Sequence, residues 1–150
     1  MINISGLAHI GIRVANFKRA IGFYSELGFS LIRDDQNERV VVLKHATGIE
    51  INLLDSVNVK NHQRNILMDE AVRYPGITHL ALAVVDIHRA IAAIHSLRIK
   101  ITEGPVTFGD GSTSIFFRDP DRNVIELSQP LKQHQSLHDK THSSPEEYAL

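Results

Sequence analysis

A chain of 150 residues, 43% of them hydrophobic, buries roughly 70% of the surface its unfolded form exposes, enough for one compact domain or two small halves sharing a core. The formal net charge of −1 comes with no basic stripe, which removes electrostatic support for binding nucleic acid or an anionic membrane. The absence of cysteine excludes disulfides and thiolate metal sites and fits a reducing compartment.

From Met1 to Leu7 there is neither a basic region nor a long apolar run, so no signal peptide is expected. No apolar stretch approaches the ~20 residues of a membrane span, and a soluble cytoplasmic protein is expected. Ala8, Ile10, Ile12 and Val14 then alternate with His9, Gly11 and Arg13. Period two predicts a strand over 7–14, with one packed face and one face of mixed use. Asn16 offers a capping oxygen, Phe17, Ala20, Ile21, Tyr24 and Leu27 follow at helical spacing, and Gly28 supplies a stop. Strands are predicted near 29–34, 39–45 and 48–54. Residues 55–76 form a connector, with a short helix expected around Ile66–Val72 and closure at Pro75-Gly76.

The pattern then repeats. Ile77-Thr78-His79-Leu80-Ala81-Leu82-Ala83-Val84 matches the first strand, and Asp86 replaces Asn16 as the cap. Ile87, Ala90, Ile91, Ile94 and Leu97 replace the five apolar helix positions. Strands are predicted near 99–103, 113–118 and 123–129. The last two are joined by a turn, Asp119-Pro120-Asp121-Arg122-Asn123, in which proline suits the second position and Asn or Asp the left-handed one. Leu131 to Leu150 is polar and expected to be mobile. His134, His138 and His142 recur every four residues there, and a solvated tail is the expected reading. The fold class is α+β: a single domain over 1–130 made of two tandem βαβββ modules, about 5–55 and 77–129. The expected architecture is a curled mixed sheet with helices on its outer face.

Each half pairs a strand histidine with a carboxylate on a later apolar strand: His9 with Glu50, and His79 with Glu126. By strand phase all four point away from the helix-packed face, beside small neighbours such as Gly11, Ala81 and Gly48. Two carboxylates drawn into a cleft are costly unless a cation neutralises them. Imidazole nitrogen and carboxylate oxygen suit a divalent metal, which acts as a Lewis acid toward oxygen. His45, His62, His88 and His95 lack such matches and are expected at the surface.

With the repeat, the strand-opening histidines, Phe23-Tyr24-Ser25-Glu26-Leu27-Gly28-Phe29 and Asp119-Pro120-Asp121-Arg122-Asn123-Val124-Ile125-Glu126-Leu127, the chain resembles the vicinal oxygen chelate superfamily over residues 5–129. The likeness is closest to glyoxalase I (lactoylglutathione lyase). It implies a homodimer, and a divalent metal (nickel, cobalt, zinc, manganese or iron) held by His9, Glu50, His79 and Glu126. It also implies a lyase or isomerase reaction on a small substrate that chelates through adjacent oxygens. Glu126, with Glu50 as alternate, would carry the proton. Arg13 matches a residue that contacts the glutathione carboxylate, and Asn52 is a further candidate substrate contact. Leu54 and the lysine-free loop 104–111 depart from the glyoxalase I pattern, so a substrate other than a glutathione adduct fits the sequence. Two alternatives carry their own signatures. An extradiol-type Fe(II) dioxygenase would use His9, His79 and Glu126 and leave Glu50 in solvent. A non-catalytic binding or resistance protein would need no metal.

Overall fold

Asn16 and Asp86 start the two helices, as their side chains predict. In the computed structural model, which describes residues 1–35, 37–58 and 64–131, Arg19 N donates to Asn16 Oδ1 at 2.9 Å at the start of α1 (Phe17–Glu26). His88 N and Arg89 N donate to Asp86 Oδ1 at 2.9 and 3.0 Å at the start of α2 (Ile87–Ser96). Each cap satisfies amide groups that the first helical turn leaves without carbonyl partners. Gly28 follows the end of α1 with a φ of +89°, where glycine has no steric penalty.

The first half contributes β1 (Ile10–Arg13), β2 (Phe29–Asp35), β3 (Val40–His45) and β4 (Glu50–Leu54), in the order β1-β4-β3-β2. The second contributes β5 (His79–Ala83), β6 (Ile101–Thr107), β7 (Thr113–Arg118) and β8 (Val124–Gln129), in the order β5-β8-β7-β6. In each sheet the first strand pairs parallel with the last, and the other pairings are antiparallel. Two tandem βαβββ modules of α+β class are therefore present. Their sheets are not joined into one closed curl. A cleft lies between β1, which follows His9, and β5, which begins at His79.

Helix-packed side chains of both halves merge into one core, including Val14, Ala20, Tyr24, Leu43, Ile51, Leu53, Ile94, Ile115, Phe117 and Ile125. Alternation along β4 puts Ile51 and Leu53 in this core and leaves Glu50, Asn52 and Leu54 half-buried on the opposite face. Helix α1 reaches across the modules. Tyr24 Oη donates to Asp119 Oδ2 at 3.0 Å, Arg19 Nη2 meets Asp121 Oδ1 at 2.6 Å, and Phe23 lies against Phe117.

Two local expectations are corrected. The connector segment 66–72 forms turns, not a helix. Asn65 Oδ1 accepts from the Leu67 and Met68 amides and Asp69 Oδ2 accepts from Asn65 N, so side chains compete with helical backbone bonds. In the Asp119–Asn123 turn the left-handed residue is Arg122, with a φ of 70°, and not an Asn or Asp. The Asp119 carboxylate, accepting from the Asp121 and Asn123 amides, holds the turn and so relieves that position of its usual preference.

Candidate functional site

The face of each sheet turned away from the core carries the candidate residues. On the second sheet, Glu126 sits third in β8, opposite Ala81 of β5 and Phe116 of β7. It is only 8% exposed. Its Oε2 lies 3.0 Å from His79 Nε2. The other ring nitrogen of His79, Nδ1, is 2.8 Å from Thr78 Oγ1, and the ring packs edge-on against Phe116. The hydroxyl and the phenyl ring together fix the imidazole so that Nε2 faces the carboxylate. Burial of Glu126 calls for a polar partner, and His79 presents one ring nitrogen to it.

On the first sheet, strand register decides which residue answers to Glu126. Ile10, directly after His9, pairs with Ile51, and Leu80, directly after His79, pairs with Ile125. Gly11 therefore pairs with Asn52 where Ala81 pairs with Glu126. Asn52, not Glu50, is the structural counterpart of Glu126, and Glu50 corresponds to Val124. This corrects the equivalence of Glu50 and Glu126 expected from the repeat. The signal that finds it lies in the frame Ile51-Asn52-Leu53 against Ile125-Glu126-Leu127, in which both flanking residues are identical. Glu50 instead opens β4 and lies 3.8 Å from Lys44 Nζ, in a partly exposed pair across β3 and β4.

His9 and His79 line the same cleft, of about 490 Å³, with Leu7, Gly11, Arg13 and Ile77. His9 is exposed there. Arg13 Nε donates to Ser56 Oγ at 3.2 Å. Asn52 Oδ1 is buried and has no hydrogen-bond partner among the described residues, an unmet acceptor that a water, ion or ligand would satisfy. His45, His88 and His95 lie away from this cleft; His62 and the tail histidines His134, His138 and His142 lie outside the described residues.

The donor chemistry fits a divalent metal: two imidazoles, one carboxylate in contact with an imidazole, and one orphaned amide oxygen. Within one chain, however, no group of three or more His, Asp or Glu side chains among the described residues is gathered closely enough to hold an ion. The second half brings two donors into contact, His79 and Glu126; the first offers His9 in the cleft and Asn52 on β4. No helix among the described residues is long and apolar enough to cross a membrane.

Two βαβββ halves with matched histidines on one cleft agree with a sequence model of the Glyoxalase/Bleomycin resistance protein/Dioxygenase superfamily, which matches residues 6–127. The chain belongs to this superfamily. The virulence protein STM3117 of Salmonella typhimurium is 29% identical over 131 residues, covering 84% of this chain and 85% of that protein. The crystal structure of STM3117 aligns with a TM-score of 0.63 at 30% identity, over 87% of this chain and all of that one (100%). The glyoxalase domain-containing protein RDO1 of Mycosarcoma maydis is 28% identical, covering 85% of this chain and 69% of RDO1. A lactoylglutathione lyase from Agrobacterium tumefaciens shares the fold, with a TM-score of 0.63 at 18% identity over 84% of this chain and 94% of that one.

Proposed function

We propose that this protein is a divalent-metal enzyme acting on a small substrate that chelates through adjacent oxygens. His9, His79 and Glu126 would hold the ion. The contact between His79 Nε2 and the nearly buried Glu126 Oε2 carries the reading. A carboxylate so placed needs a cation, and a neutral imidazole beside it is the usual companion ligand. The metal, when bound, supplies a Lewis acid for the substrate oxygens. In an isomerase reaction Glu126 would be the base, and Arg13, which lines the cleft, would contribute positive charge.

A second copy of the chain would complete the site. Each half brings two donors, the faces bearing them are turned away from the core, and β5 exposes His79, Ala81 and Ala83 on that face. His9 and Asn52 of one subunit would then meet His79 and Glu126 of the other. The reaction type divides on the register. The four-ligand glyoxalase I set needs a carboxylate where Asn52 stands. The three-ligand set His9, His79 and Glu126, with Glu50 paired to Lys44, favours chemistry of the dioxygenase kind over hemithioacetal isomerisation.

Elemental analysis of the purified protein, before and after chelator, tests the site. About one equivalent of divalent metal per chain, lost in Glu126→Gln, is the expected result. A folded dimer that takes up no divalent ion would defeat the proposal. Parallel assays with a hemithioacetal and with a catechol under oxygen then separate the two reaction types.

A further inference from the structure

We infer that the segment 146–150, which carries Glu146, Glu147, Tyr148 and Leu150, docks on its own domain in the groove between α1 and the end of α2. This groove is an open cavity of about 790 Å³. It shares no lining residue with the histidine cleft, so the inference stands apart from the metal reading. Its apolar lining is Phe23, Leu97 and Ile99, each half-buried. Ring contacts of Phe23 with Tyr24 and Phe117 fix this floor against the core.

Charge selects the occupant. Lys18, Arg19 and Glu26 are the charged residues of the lining, and Asp121 neutralises Arg19 at 2.6 Å. Arg98 and Lys100 are exposed and alternate along the chain with Leu97 and Ile99. Lys18, Arg98 and Lys100 thus outweigh Glu26. The groove favours an occupant that joins negative charge to large apolar side chains. Within 132–150, the run 146–150 is where two carboxylates adjoin an aromatic and an aliphatic side chain. Reach is no obstacle. The described residues end at Leu131, and the chain of about 15 residues from there to Glu146 spans up to roughly 50 Å when extended. A domain of this size is roughly 36 Å across.

The absence of cysteine makes cross-linking of the full chain a direct test. Gly22 lines the groove, and a Cβ there would meet nothing within 4 Å. Gly22→Cys is combined with Ala149→Cys, and disulfide formation in aerated buffer is followed on non-reducing gels. Gly109→Cys with Ala149→Cys is the control. Gly109 is equally open, and it is close in sequence to Gly111, whose neighbour is Leu131, so random encounters favour the control. The intrachain disulfide is expected to form on the order of tenfold faster at Gly22 than at Gly109. Glu146→Lys with Glu147→Lys should bring that rate down to the control. In the cysteine-free chain the same two charge reversals should shift the backbone amide resonances of Gly22, Phe23 and Ile99 and leave Gly109 unmoved. Equal rates at the two positions, a rate indifferent to the charge reversals, or unmoved groove resonances would leave the groove to a different partner and overturn the inference. Disulfides that link two chains would assign the groove to a second copy and overturn it as well.

Discussion

Tyr24 of the first module and Asp119 of the second are joined by a buried hydrogen bond, 3.0 Å from Oη to Oδ2, that ties α1 to the turn leading into the Glu126 strand. Tyr24 is fully buried and Asp119 is 3% exposed. Asp119 also accepts from the Asp121 and Asn123 amides and from Asn123 Nδ2. Removing the tyrosine hydroxyl leaves a carboxylate oxygen with one donor fewer in a dry setting. Tyr24→Phe is expected to cost about 1–3 kcal/mol, read as a lower urea midpoint with the m-value unchanged.

The same carboxylate has a pH signature. Burial pushes the Asp119 carboxyl above its ordinary range, and the hydrogen bonds from Asn123, Tyr24 and Asp121 only partly oppose the shift. A carboxyl whose folded pKa is raised binds its proton more tightly folded than unfolded. Its contribution to stability is thus fully present below the ordinary carboxylate pKa and is lost as pH rises through the raised value. Urea titrations from acid to neutral pH should show wild type losing stability relative to Asp119→Asn across that window. A difference between the two proteins that grows in favour of wild type with rising pH would contradict the assignment.

Glu50 offers a cheap discrimination between sequence logic and structure. Its 3.8 Å pairing with Lys44 is partly exposed on both sides, with side chains 26% and 49% accessible. Such pairs contribute about 0–1 kcal/mol. Glu50→Gln should therefore leave the melting curve nearly unmoved and the metal content intact, whereas Glu126→Gln should empty the site. Equal metal loss in both variants would restore Glu50 as a ligand.

Gly104 sets a limit on the edge strand β6. Its φ is +93°, and a Cβ built there would lie 2.5 Å from the Ser114 carbonyl oxygen of β7. Both the left-handed conformation and the backbone clash oppose any side chain. Gly104→Ala is expected to lose roughly 2–4 kcal/mol, whereas Gly22→Ala, at an open helical position with no neighbour within 4 Å, should be neutral or slightly stabilising. Calorimetric midpoints of the two variants check the contrast.

Much of this protein follows from local pattern. Period-two alternation around His9 and His79, the caps Asn16 and Asp86, and the two five-point apolar stripes state the modules, because strands and helices expose their repeat in the order of residues. The strand placement of His79 and Glu126 was legible for the same reason. Which first-module residue stands at the counterpart of Glu126 was not, because register is a relation between strands. A shift of two residues along β4 keeps the same face and satisfies every one-strand rule. Only the pairing of Ile10 with Ile51 selects Asn52 over Glu50. The joining of the two modules through Tyr24 and Asp119 is likewise decided in three dimensions, by the burial of two polar groups 95 residues apart that satisfy each other.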